Sequence, residues 1–169
     1  MEAKEIFKKL QDQFGEAVQE LNDEVMQPYI KIAPDKTNEI AQFLRDEEDL
    51  QFDYLMCLSG LDLGENLGVV YHLYSMKLKH KIVLKTEVSK EKPDVHTVAN
   101  IWRTADWHER EAYDLLGINF VNHPDLRRIL LPDDWEGHPL RKDYKPQKSW
   151  HGIPVTLDSE EEENDAVEQ

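Results

Sequence analysis

Three strand-like runs follow one another with almost nothing between them, and this limits the possible folds more than any other feature. They read "LQFDYLMCLSGLDL" over 50–63, "NLGVVYHLYSMKL" over 66–78 and "HKIVLKTEVS" over 80–89. The second and third are rich in Val, Ile, Leu and Tyr with polar residues interspersed, as in strands with one buried face. The turns are "GEN" and roughly "KLKH". A parallel crossover needs about a dozen residues or more, so connections this short make the three runs antiparallel neighbours.

The flanking segments supply helices. Ile6, Leu10, Phe14, Val18 and Leu21 recur at steps of four and three, which predicts one amphipathic helix with that stripe in the core. "EVMQPYIKI", residues 24–32, reads as a short strand, and its Pro28 assigns it to a sheet edge. In "PDKTNEIAQFLRDEE", residues 34–48, Pro34 opens a helix whose apolar face is Ile40, Phe43 and Leu44. "DVHTVANIWRTADWHEREAYDLLG", residues 94–117, reads as one long helix or two short ones. The order helix, strand, helix, three strands, helices is that of an α+β fold, an antiparallel sheet with helices packed on one face.

Beyond Gly117 the texture changes. Residues 132–157 hold four of the eight prolines, Pro132, Pro139, Pro146 and Pro154, each of which removes a backbone donor. Yet the span carries Trp135, Leu140, Tyr144, Trp150 and Ile153, and a disordered linker is poor in aromatics. Two readings stand: an extended arm strapped over another protein surface, or an arm folded back over its own domain. The chain thus divides into an α+β domain (1–131), an extended arm (132–157) and a disordered tail (158–169). That tail, "DSEEEENDAVEQ", has seven acids and no base.

A net charge of −15 argues against nucleic acid and against a polybasic membrane anchor. Cys57 is the single cysteine, so the chain cannot supply four thiolates to an iron–sulfur cluster or several to a structural zinc. Its apolar setting reads as core. No apolar run approaches the roughly 20 residues of a membrane span. The N-terminus is not a secretory signal, and its acids are unlike a transit peptide. These features point to a reducing, cytoplasmic compartment.

The richest stretch is "WHEREAYDLLGINF", residues 107–120. A zincin helix needs H-E-x-x-H, but Ala112 stands where the second histidine belongs. A zinc deaminase needs H-x-E with a later C-x-x-C, but Arg110 and the lone cysteine exclude it. No nucleophile elbow or phosphate-binding glycine loop is present. Acid–base chemistry by His108, Glu109 and Glu111 remains conceivable. A structural reading competes with it. Asp106 and Glu109 have capping-box spacing, Gly117 suits a left-handed helix end, and Arg110 can pair with Asp114. Glu109 shares a stripe with Ala105, Ala112 and Leu116, so it faces the apolar side and needs a donor or a raised pKa. The nearest bases in sequence are Arg127 and Arg128. A third reading is an ion network facing a partner.

From Glu109 the sequence continues "EREAYDLLGINFVNHPDLRRILLPDDWEGHPLRKDY". It resembles the signature of the C subunit of NADH:quinone oxidoreductase, the proton-translocating respiratory complex I. Glu109, Arg110, Glu111, Asp114, Gly117 and Phe120 match, followed by His123, Pro124, Asp125, Leu126, Arg127 and Arg128. Trp135, Gly137, His138, Pro139, Leu140, Arg141, Lys142, Asp143 and Tyr144 match the usual continuation. The departures are Asn122, where many members have glycine, and Lys145 before Pro146. The resemblance covers roughly residues 25–150.

It implies a non-redox scaffold in the peripheral arm of a bacterial inner-membrane complex, on the cytoplasmic side. The main contact is with the D subunit, which helps form the quinone (ubiquinone) cavity, and cluster-bearing subunits lie near. FMN and Fe–S clusters belong to those partners, which pass electrons from NADH to quinone. No catalytic, cofactor or metal residue is expected in this chain. Related membrane-bound nickel–iron hydrogenases and ferredoxin-fed complexes have an equivalent subunit. Two structural expectations follow. Glu109 or Glu111 is satisfied by Arg127 or Arg128, with Pro124 opening a helical turn capped by Asn122 or His123. The 132–157 arm lies extended across a neighbouring subunit and has little structure alone.

Overall fold

In the second of the three runs the side chains alternate cleanly. Leu67, Val69, Tyr71 and Leu73 are buried, while Val70, His72 and Tyr74 are half-buried. The third run does the same with Ile82, Leu84, Thr86 and Val88. Period-two burial is what a sheet with one covered face imposes. The computed structural model describes residues 1–155. The last two residues assigned to the arm, and the acidic tail expected at 158–169, lie outside the described residues.

The elements in chain order are α1 (Ala3–Phe14), β1 (Val18–Asn22), β2 (Tyr29–Ile32), α2 (Thr37–Asp46), β3 (Tyr54–Asp62), β4 (Asn66–Tyr74) and β5 (Lys81–Ser89). Then come β6 (Asp94–His96), α3 (Ala105–Leu116), β7 (Asn119–Val121), β8 (Ser149–Trp150) and β9 (Ile153–Pro154). The main sheet runs β1-β2-β5-β4-β3. It is antiparallel apart from the β2–β5 pair. The α+β fold class read from the sequence is therefore the one observed. Ile6 and Leu10 of α1 and Ile40 and Leu44 of α2 have no exposed surface and join one continuous apolar cluster with the sheet.

Three expectations change. The first amphipathic stripe is not one helix. α1 ends at Phe14, Gly15 follows at φ 56°, and Val18 and Leu21 lie in β1. β2 is an inner strand between β1 and β5 rather than an edge. Pro28 sits just before it, so no ladder donor is lost. Residues 94–117 are not all helical: they open with β6, which pairs in parallel with β7, so α3 is the crossover of a small βαβ unit. Val95 and Phe120 face each other across that pair, both buried.

α3 lies against β3, and a glycine permits the close approach. A Cβ on Gly60 would sit 2.5 Å from Leu116 Cδ1 and 3.2 Å from the Ala112 methyl. A side chain there would force Leu116 out of its rotamer and press on Ala112 and Ile118.

Candidate functional site

α3 turns Ala105, Glu109, Ala112 and Leu116 inward, as the stripe requires, and all four are buried. Thr104 caps the helix without a side-chain bond, so the Asp106–Glu109 capping box does not form. Glu109 has no exposed surface and reaches instead to the loop after β6. Val98 N–H donates to its Oε1 at 2.7 Å, and the Thr97 hydroxyl donates to its Oε2. Burial pushes the Glu109 carboxyl up to about 7, against the pull of those two donors and with added repulsion from Asp106. The Tyr71 phenol lies in the same interior, raised by burial and by the charge of Glu109. Its hydroxyl has no hydrogen-bond partner among the described residues.

His123 closes this interior from the other side. Its Nδ1 accepts from the Asp125 N–H at 3.0 Å, so the ring proton lies on Nε2. That Nε2 is 3.2 Å from Asp106 Oδ1 and 3.8 Å from Glu109 Oε2. The expected cap is thus His123, acting through its ring, and it closes a turn at Pro124–Asp125 rather than a helix. Asn122 has φ 65°, a left-handed conformation that glycine and asparagine enter most readily.

The pairing expected for Arg127 and Arg128 is corrected. Neither meets Glu109, and Glu111 is exposed. Arg128 pairs with Asp114, Nη1 to Oδ1 at 2.8 Å, and its other donors reach the carbonyls of Trp135 (3.1 Å) and Gly137 (3.0 Å). Asp114 Oδ2 accepts three successive backbone N–H groups, from Ile129 at 3.0 Å, Leu130 at 2.8 Å and Leu131 at 3.0 Å. Burial pushes the Asp114 carboxyl up, but the Leu131 and Leu130 amides, Arg128 and the Ile129 amide together hold it below its ordinary value. Arg127 pairs at the surface with Asp125, at 2.9 Å. Arg110 does not pair with Asp114. It is buried, donates to the Arg127 carbonyl at 3.3 Å, and lies over the Trp107 ring at 5.1 Å.

Gly117 ends α3 with φ 70°, ψ 29°, as the sequence indicated. The chain then returns, and the arm caps the helix. The carbonyls of Asp114, Leu115 and Leu116 face His138 Nδ1 (2.9 Å), Leu140 N–H (3.0 Å) and Arg141 Nε (2.6 Å). These are the acceptors a helix leaves unpaired at its C-terminus. A Cβ at Gly117 would collide with the His138 ring and the Arg141 guanidinium, at 2.6 and 2.7 Å. Lys142 N–H donates to Asp62 Oδ2 at 2.7 Å, and Lys90 bridges Asp62 and Asp143 at 2.9 and 3.2 Å. The Lys142 amide, with Lys90 and the Gly64 amide, pulls the Asp62 carboxyl down to about 2. Trp135 Nε1–H donates to the Tyr144 hydroxyl at 3.2 Å. An arm without attachment to its own domain is therefore not what residues 137–143 show: this stretch is moored to α3 and to the end of β3. Pro139 lies within the moored stretch. Leu126 packs against the core.

His108, Glu109 and Glu111 do not converge. His108 Nδ1 accepts from Leu58 N–H at 3.3 Å, Glu109 is engaged inside, and Glu111 faces solvent. Among charged neighbours such as Glu111, Asp125 and Arg127, the region also presents large apolar side chains outward. Trp107, Leu130 and Leu140 are each 60% exposed along α3 and the arm. Thr97, Asp62 and Lys90 belong to this site but lie far from the motif in sequence, and no local pattern marks them.

A family model described as respiratory-chain NADH dehydrogenase, 30 Kd subunit, matches residues 30–149. That span runs from β2 to the start of β8, past the moored stretch. The chain is 51% identical over 152 residues to the NADH-quinone oxidoreductase C subunit of Chloroherpeton thalassium, covering 88% of this chain and 63% of that protein. It is 46% identical over 150 residues to the corresponding C subunit of Chlorobium phaeobacteroides, covering 86% and 90%. In Phocaeicola vulgatus the similar protein is named as a joint C/D subunit, and the match, 45% identical, covers 70% of this chain and 23% of that one. Among solved structures, a trypsin-resistant fragment of Nqo5 superposes with a TM-score of 0.61 at 25% identity, over 75% of this chain and 100% of the fragment. The chain therefore belongs to the family of the 30 Kd subunit of respiratory-chain NADH dehydrogenase.

Proposed function

We propose that the chain is a non-redox subunit of the peripheral arm of a proton-translocating NADH:quinone oxidoreductase and packs against its quinone-site D subunit. The observation that carries this reading is the fate of the motif's ionic groups. Glu109, Asp114, Arg128, His138 and Arg141 bond within the chain, and they fix α3 and the arm into one surface with Trp107, Leu130 and Leu140 outward. Exposed aromatic and aliphatic residues on a rigid backing are the material of interface anchors. The C/D relative supports the D subunit as the partner, since its name joins the two in one polypeptide.

Electrons pass from NADH through FMN and Fe–S clusters held by other subunits to quinone. The chain contributes one cysteine, Cys57, too few for a cluster site of its own. Its place is peripheral, on the cytoplasmic face of the inner membrane; no helix of the described residues is long and apolar enough to cross a membrane. The test is to tag the chain, solubilise the membranes gently and identify what co-purifies. The D subunit, the cluster-bearing subunits and NADH:quinone activity should elute together. Recovery of the chain alone, or stoichiometric iron or flavin in the isolated chain, would overturn the reading.

A further inference from the structure

The arm is moored where β3 and β5 end, at Asp62 and Lys90. At the other end of the same strands lies an open groove of about 640 Å³. Nine-residue strands separate the two places by roughly 25–30 Å, at about 3.4 Å per residue. The first residues of the chain, the β1–β2 connection, the start of β3 and the β4–β5 hairpin form its walls, with Met1, Pro28, Met56 and Tyr74 among the lining residues.

Two properties of the groove are unexplained by the fold. First, it gathers exposed methionine. All four methionines of the chain are exposed: Met1 41%, Met26 99%, Met56 50% and Met76 52%. Met1 and Met56 line the groove, Met26 sits in the connection that forms one wall, and Met76 opens the hairpin that forms another. Methionine is flexible and polarisable, and it suits surfaces that adapt to an incoming apolar group. Leaving such a cluster in water is unfavourable unless something covers it.

Second, the rim is cationic in a chain whose net charge is −15. Lys77, Lys79 and Lys81 are exposed along the hairpin, and Lys79 and Lys81 line the groove. None of them takes part in an ion pair among the described residues. Two acids line the opposite side, Glu2 at the start of α1 and Asp23, which is held by Lys4 at 2.7 Å, against the three lysines Lys4, Lys79 and Lys81. The balance at the mouth is therefore positive, with its unpaired lysines on the hairpin side, above an apolar floor.

We infer that this groove receives a segment of a second subunit in which carboxylates flank one or two apolar side chains. The apolar side chains enter between Met1, Met56 and Tyr74, and the carboxylates meet Lys79 and Lys81. Opposite charge at a rim steers approach and fixes register, while the apolar floor supplies the contact. A membrane surface fits less well. Anionic headgroups would reach the hairpin lysines, but a flat bilayer would leave a concave floor unfilled. The inference rests on the proposed reading in that the chain must be assembled with other subunits, and it adds a second contact at the far end of the sheet from α3.

The experiment places a photo-crosslinking residue, p-benzoylphenylalanine, at Met56 in one strain and at Trp107 in another. Each assembled complex is irradiated after solubilisation, and the crosslinked peptides are identified by mass spectrometry. Met56 should capture a peptide of another subunit that has Asp or Glu beside an apolar residue. Lys79→Glu with Lys81→Glu should lower that yield by about tenfold or more, because like charges then face each other. Lys79→Arg with Lys81→Arg should preserve it. If Trp107 captures a partner but Met56 captures nothing, a lipid, a second copy of this chain, this chain's own residues after 155 or a peptide without acids, the groove assignment is wrong. A yield indifferent to the Glu pair would overturn it as well. If neither position captures another subunit, the proposed function fails along with it.

Discussion

In the sheet and its covering helices, Leu10, Ile30, Ile40, Leu44 and Leu67 have no exposed surface and no polar side-chain atom to satisfy. At the end of α3, Asp114 is equally buried, and its carboxylate holds three backbone amides and Arg128. Both regions are interior, but they respond differently to change. An apolar site tolerates another apolar residue of similar volume, because burial is non-directional. The Asp114 site needs an acceptor at one position aimed at four donors. Its loss strands the three amides and takes away the ionic partner of Arg128, which loosens the entry to an arm otherwise tied to the α3 carbonyls and to Asp62. The sheet therefore supplies stability, and the α3–arm network supplies the shape of a surface.

Removing one side chain from each region should separate the two most clearly. Asp114→Ala leaves three amides unpaired and Arg128 without its carboxylate, and a buried pair that loses a partner costs about 3–5 kcal/mol. Urea denaturation should report that loss. Hydrogen exchange should show residues 129–144 opening while the amides of β4 and β5 stay protected. Leu10→Ala should cost a similar amount, about 2–5 kcal/mol, through the cavity it leaves. Here protection should fall across the sheet without a selective release of the arm. Selective release of the arm in Leu10→Ala would erase the distinction.

Glu109 stands between the two regions, a carboxyl placed in the apolar interior. Its folded-state pKa of about 7 lies above the ordinary 4.5. Between those values the folded form keeps the proton that the unfolded form loses, so stability is higher below 4.5 and falls as pH rises toward 7. A shift of this size corresponds to on the order of 3 kcal/mol across that window. Glu109→Gln should flatten the wild-type decline in melting temperature between about pH 5 and pH 7.5. A variant with the same slope as the wild type would show that Glu109 does not titrate there. The smallest effect is expected at Arg127, whose only ionic partner among the described residues is surface-exposed Asp125. Arg127→Ala should melt with the wild type, since exposed pairs contribute little. Arg128→Ala should not, because Arg128 bonds the Trp135 and Gly137 carbonyls of the arm as well as Asp114.

The two regions also differ in what the sequence discloses. β3, β4, β5 and α2 are legible because periodicity and turn residues are local signals. The failure at Val18 and Leu21 is equally local: their spacing fits a helix, and only Gly15 hints that the chain turns before them. In the α3 region the sequence shows that Glu109 faces inward, that Gly117 stops the helix and that the chain folds back. It does not show which base meets which acid. Arg110, Arg127 and Arg128 are all within reach of α3, and the choice is set by where the turn at His123 points each side chain. Thr97 answers Glu109 from a loop before the helix, and Asp62 answers the arm from the end of β3. Such partners are fixed by tertiary path rather than spacing.

If the α3–arm network exists to present a surface to the D subunit, damage to the network should cost assembly where equal damage to the core does not. The direct measurement compares Asp114→Asn with Leu10→Ala, at a temperature at which both remain folded. Tagged chains are recovered from solubilised membranes and the co-purifying D subunit is quantified. The expected result is wild-type recovery of that partner with Leu10→Ala and loss of most of it with Asp114→Asn. Equal recovery with the two variants would contradict a surface-shaping role for the network.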